Sequence, residues 1–263
     1  MTDEPFADQP FADQRSAIAE ACRVMAARGL ADGILGHISM RVDAEHLLVR
    51  CRGRHERGLA HTVPDDVRLV DLDGRGEVGG DLGYRVPAEL PLHVEVLVRR
   101  PDVDVVVHAH PFAVVAADLA GHPIRPLLGA YDIPGAHLAA GGVPVHPRSV
   151  LIRTRELAAE MVDSMGERPV VVLRGHGLTA TGAGPSQAVL RAISVDTLAR
   201  MTLAVAAAGG VPVAIPASDL AELPDLGSAF NDTVAWRHEL SRLTPAPESG
   251  AVPQPLRSRR ADR

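Results

Sequence analysis

An α/β fold with one core is what this sequence predicts, and three observations carry the prediction. Segments with apolar residues at helical spacing alternate with short β-branched runs, among them Val105–Val107 and Val170–Val172. Gly and Pro stand where one kind of segment gives way to the other. The chain has 263 residues, a length at which an α/β domain can still close around a single core.

The elements follow in order. Residues 1–14 carry the tandem PFADQPFADQ, a duplication too short to be a structural repeat, and read as a mobile arm. Organised structure is expected from Arg15: Ile18, Ala21, Cys22, Met25, Ala26 and Leu30 share a helix face, with Gly29 placed to end the helix. Ile38–Val42 and Leu47–Arg52 read as paired strands about a turn at 43–45, and Val67–Leu72 as a third strand before Asp73-Gly74. A helix is expected from Val86 to about Arg100, with Glu89 in its first turn, where a carboxylate suits the helix dipole. His93, four residues on, shares the face of Glu89 and reads as structural, orienting its neighbour. The strand DVVVHAHP follows, then an alanine-rich helix ended by Gly121, a turn-rich stretch over 124–147, a helix over 153–166 and the strand from Pro169 to Leu173. Ser186–Ala208 has long helical periodicity, and 231–243 reads as a last helix. From residue 244 the Pro, Ser and Arg content predicts a disordered tail.

The chemistry concentrates at the ends of two of these strands. In a strand, residues two apart face the same way, so His108 and His110 emerge side by side. The second strand leads to His176, set between Gly175 and Gly177. A lone His at a strand end is more often a hydrogen-bonded residue than a ligand. Three imidazoles converging from two strand ends, with Glu89 nearby, instead describe a divalent-metal centre that keeps a position open. The loop after the second strand holds Arg50, Arg52, Arg54, His55 and Arg57 with Gly53 and Gly58. Such loops are commonly only solvated, yet arginines on both sides of a turn suit bidentate capture of a carboxylate or phosphate.

Composition narrows the functions. A formal charge of −6 offers no broad cationic surface for nucleic acid. The polar, acidic N-terminus lacks the apolar segment of a signal peptide, and no run of about 18 apolar residues offers a membrane span. The two cysteines, Cys22 and Cys51, fit neither a disulfide framework nor a zinc pair, so reduced thiols in the cytoplasm are expected.

The segments GILGHIS, ELPLHVEVLVRRPDVDVVVHAHP and VVVLRGHGLTATG together resemble the class II aldolase/adducin family, over roughly residues 15–243. The resemblance implies a three-layer α/β/α fold with a central, mainly antiparallel sheet and a homo-oligomer, commonly a tetramer. It also implies one divalent ion per subunit, held by His108, His110 and His176, with Glu89 as catalytic acid/base that could also touch the metal. The ion could be zinc, manganese, iron or cobalt. Where sugar-phosphate aldolases of the family place Gly-Asn, a Thr-Gly loop and Ser-Ser, this chain has Gly36-His37, Arg52-Gly53-Arg54 and Pro87-Ala88. Guanidinium and imidazole in place of amide and hydroxyl favour a substrate bearing carboxylates.

A narrower resemblance joins VRCRGRHERG, YRVPAELPLH, GAYDIP and PRSVLIR to the branch containing 3,4-dihydroxyphthalate decarboxylases. It implies a lyase acting on a small carboxylated aromatic acid, with His37, Arg52, Arg54, His55 and Arg148 as candidate substrate contacts. An aldolase or epimerase acting on a small sugar or hydroxy-acid is the alternative. A non-catalytic adducin-like module is a third reading, against which the retained histidines argue.

Overall fold

The computed structural model describes residues 10–227 and 229–243; the first nine residues of the expected arm and all of the expected tail lie outside them. Helix α1, Ala12–Ala27, starts three residues earlier than Arg15. The reason is Arg15 itself, which is 1% exposed. Its guanidinium grips both oxygens of Glu77 at 2.9 and 2.7 Å, and donates to the carbonyls of Pro10 and Val67. A buried guanidinium needs such partners, and meeting them draws the preceding residues onto the body.

The centre of the molecule is a seven-stranded sheet in the order β3-β2-β1-β4-β7-β6-β5. The strands are β1 (His37–Arg41), β2 (His46–Arg50), β3 (Val67–Asp71), β4 (Val105–Ala109), β5 (Val145–His146), β6 (Val170–Leu173) and β7 (Gly177–Gly182). Every pairing is antiparallel except β5 with β6. Between them come α2 (Leu90–Arg99), α3 (Phe112–Leu119), α4 (Ile133–Leu138) and α5 (Arg155–Met165); α6 (Pro185–Ala207), α7 (Ala217–Glu222) and α8 (Trp236–Ser241) follow.

Strand alternation divides the core. Ile38, Val105, Val107, Leu178 and Ala180 face one way and pack with residues of α1, α3 and α6. Val106, Val171 and Leu173 face the other way, onto α2 and α5. The result is the expected three-layer α/β/α arrangement with a mainly antiparallel sheet. Among the strands and α-helices described, four lie outside the expectations: α4 and β5 in the turn-rich stretch, β7 as the partner of the second His strand, and α7. The expected last helix begins as a π-helical turn over Ala229–Ala235 before α8. No helix among the described residues is long and apolar enough to cross a membrane.

Candidate metal centre

The central four strands set the site. In register, His108 pairs with His37 of β1 on one side and Thr179 of β7 on the other, so all three side chains point to the α2/α5 face. His110 lies just past the end of β4, where its N–H donates to the Leu30 carbonyl at 2.8 Å. His176 comes from the three-residue loop between β6 and β7. Gly175 in that loop takes φ +59°, which glycine adopts without strain. The Gly175 N–H donates to the Asp118 carboxylate of α3 at 2.8 Å, and the His176 N–H to the Leu173 carbonyl at 3.0 Å. A Cβ at Gly177 would overlap the Ala109 carbonyl oxygen, so this glycine is what lets the second His turn reach the first His strand.

Glu89 completes the group from the N-cap position of α2, one residue before the helix, rather than from within its first turn. Its side chain does not cap the helix. Instead one oxygen accepts from the Ile152 N–H at 2.9 Å. The other stands 3.3 Å from His108 Nε2, 3.7 Å from His176 Nε2 and 3.8 Å from His37 Nε2.

One donor atom each from Glu89, His108, His110 and His176 lies within 4.8 Å of all the others. His108 Nε2 and His110 Nε2 approach to 2.8 Å, and the ring of His176 is 4.9 Å from both rings. Burial lowers the pKa of His110 to about 3 and also lowers that of His176, so these rings are neutral near pH 7 and can offer lone pairs. Burial alone would raise the Glu89 carboxyl; the flanking His108 and His37, with the Ile152 N–H, more than offset this and keep it ionised. Three imidazole nitrogens and a carboxylate, close enough to share one cation, are a donor set that fits a first-row divalent ion.

The other candidate substrate contacts are placed differently. His37 is 6% exposed and lies against Glu89. Arg52 donates to the Ile34 carbonyl at 2.9 Å, and its charge bears on His37. Arg54, whose stem lies over Gly83, and His55 are exposed in the same loop. Arg148 is exposed, with its guanidinium on both oxygens of Glu160 at 3.0 and 2.7 Å. The structure therefore gathers Glu89, His37 and the three strand-end histidines, and leaves Arg52, Arg54, His55 and Arg148 at the surface.

Three supporting groups escape the sequence reading: Ser39, Asp118 and the backbone of Ile152. Ser39 had a signal, since it lies two residues after His37 on the same strand face. Asp118 and Ile152 act by tertiary contact alone.

Residues 16–203 match the model of the Class II Aldolase and Adducin N-terminal domain. The chain belongs to the class II aldolase and adducin family. It is 64% identical over 234 residues to a 3,4-dihydroxyphthalate decarboxylase of Arthrobacter keyseri, covering 88% of this chain and 94% of that one. With the corresponding decarboxylase of Rhodococcus jostii it is 55% identical over 230 residues, covering 87% and 95%. L-fuculose phosphate aldolase of Escherichia coli O157:H7 is more distant, at 28% identity over 71% of this chain and 80% of the relative. Among solved structures, an aldolase II superfamily protein from Pseudomonas syringae superposes with a TM-score of 0.71 at 20% identity, over 92% of this chain and 95% of its own. That structure shares the fold of this chain.

Proposed function

We propose that this protein is a divalent-metal-dependent carboxy-lyase that removes carbon dioxide from a hydroxylated aromatic acid of the 3,4-dihydroxyphthalate type, giving protocatechuate. The observation that carries the reading is the Glu89, His108, His110, His176 cluster in a chain so similar to the Arthrobacter and Rhodococcus decarboxylases.

His108, His110 and His176 would hold a zinc, manganese, iron or cobalt ion, one per subunit. Such an ion supplies Lewis acidity toward a substrate oxygen. Glu89, ionised at rest, takes the proton of the hydroxyl ortho to the departing carboxylate and returns it to the ring carbon. The bond to the carboxylate then breaks, its electron pair returns to the ring and carbon dioxide leaves. His110 and His176, kept neutral by burial, do not compete for that proton. His37 and Arg52 face the substrate's anionic oxygens from the β1 side, and Arg54, His55 and Arg148 guide a carboxylate from the rim. Large exposed apolar side chains, with Phe112 at 78%, Leu119 at 71% and Tyr131 at 77%, suit a homo-oligomer, which we take to be a tetramer. The two buried free thiols suit the reducing cytoplasm.

The test is incubation with 3,4-dihydroxyphthalate and a panel of divalent metals, following carbon dioxide and protocatechuate. Stoichiometric release of both is expected. No release with any metal, together with cleavage of a phosphorylated sugar to an aldehyde, would replace this reading with that of an aldolase.

A further inference from the structure

Behind Glu89 runs a buried chain of polar side chains, of which the proposed reaction uses only the last, His37. Ser39 Oγ is 2.7 Å from His93 Nδ1, and His93 Nε2 is 2.7 Å from His37 Nδ1. Ser39 and His93 are both 0% exposed. The remaining nitrogen, His37 Nε2, points back to the Glu89 carboxylate. Gly36 holds the first imidazole there: at φ +81°, a Cβ on it would come within 2.9 Å of Ala31 Cβ and 3.3 Å of the His108 carbonyl.

Two neutral imidazoles in series can be ordered in two ways, because each has one N–H and one lone pair. In the first, Ser39 O–H donates to His93 Nδ1, His93 Nε2–H donates to His37 Nδ1, and His37 Nε2–H faces the carboxylate. In the second, His93 Nδ1–H is turned toward Ser39 or the nearby Val106 carbonyl, His37 Nδ1–H donates to His93, and His37 Nε2 presents a lone pair to Glu89. The second order sets a lone pair 3.8 Å from an anionic oxygen, with both His37 and Glu89 buried. The first sets a polarised N–H there.

We infer that Ser39 and His93 are positioning residues that lock His37 in its Nε2–H form, so that it meets the substrate as a fixed hydrogen-bond donor selecting an anionic oxygen. This rests on the carboxy-lyase reading only for the identity of the oxygen, a carboxylate or phenolate; the lock itself is a property of the folded chain. His37, which would touch substrate, sets specificity, and the other two act through it.

The decisive measurement is the ring-nitrogen NMR spectrum of histidine-labelled, metal-free protein, with the His37 signals assigned by loss in His37→Asn. Wild type is expected to show Nε2 protonated and Nδ1 bare. Ser39→Ala and His93→Leu are expected to raise the Nδ1–H fraction of His37 severalfold. His93→Gln, whose amide nitrogen can replace the Nε2–H donor, is expected to restore the wild-type pattern. In decarboxylation assays Ser39→Ala and His93→Leu should each raise KM about tenfold with kcat changed less, and His93→Gln should keep KM near that of wild type. A His37 protonated at Nδ1 in wild type, or a tautomer indifferent to both Ser39→Ala and His93→Leu, overturns the inference. A locked tautomer in a protein that releases no carbon dioxide would leave the lock standing and remove only the proposed reaction.

Discussion

Replacing Glu89 by Gln separates the parts this carboxylate could play. The exchange keeps the shape and leaves an amide oxygen to accept from the Ile152 N–H at 2.9 Å, so the β4 histidines and the 152 segment should stay in place. What it removes is a negative charge 3.3 Å from His108 Nε2 and 3.7 Å from His176 Nε2. At an effective dielectric of about 20, a unit charge at that range interacts with a cationic neighbour by about 5 kcal/mol. Only the part that changes between ground and transition state reaches the rate, and a placed acid/base commonly contributes about 10²- to 10⁴-fold. Turnover should therefore fall by about 10²- to 10⁴-fold, equivalent to about 3–5 kcal/mol of barrier. The assay is carbon dioxide release at saturating substrate, beside metal content by elemental analysis of the same sample. Metal retained with turnover lost is expected. Turnover within a few-fold of wild type would refute the acid/base role, and loss of metal in step with activity would make Glu89 a ligand.

Further predictions follow from the same geometry. His108→Ala, His110→Ala and His176→Ala should each empty the centre of metal and abolish decarboxylation, read by elemental analysis. Gly177→Ala should destabilise the fold by about 2 kcal/mol or more and weaken metal affinity, because its Cβ overlaps the Ala109 carbonyl; denaturant unfolding and metal titration check both. Acid should destabilise the metal-free protein. Burial depresses His37 to about 4 and His110 to about 3, while in the unfolded chain both titrate near 6.5, so the unfolded state binds more protons as pH falls below about 6.5 and stability is lost there. At about pH 5 the two together would cost up to about 4 kcal/mol, a drop of about 8–15 °C in Tm relative to pH 8. Asp118→Ala should free the Gly175 N–H, cost about 1 kcal/mol and loosen His176, seen as weaker metal binding with little loss of secondary structure.

The sequence made the site more legible than its surroundings. The spacing His108-x-His110 fixes a common face without knowledge of the fold, and flanking glycines marked His176 as lying at a sharp turn. Neither could show that β7 would bring the two together. GLTATG lacks bulky β-branched residues, although Leu178 and Ala180 alternate with Thr179 and Thr181, and that alternation was the available signal. The short α4 and the two-residue β5 have too few residues for periodicity to register. The helix begins at Leu90, four residues later than the expected Val86, and the Ile152 N–H holds the Glu89 carboxylate from the N-cap position just outside it. The arginine loop was read for charge alone, and tertiary contacts, such as Arg52 with Ile34, decide where each guanidinium points.

The pairing of β4 with β7 also governs when this protein can mature. His110 and His176 stand 66 positions apart in the chain and become neighbours only through a hairpin ending at residue 182. A nascent polypeptide that has not yet emerged past that hairpin owns a pair of imidazoles and no complete receptacle, so on the proposed metal site cation loading would come late, after the middle of the sheet has zipped. Loading would then act as a clasp on topology already made, and depletion of the ion should leave a folded, inactive pool that recovers on resupply without renewed synthesis.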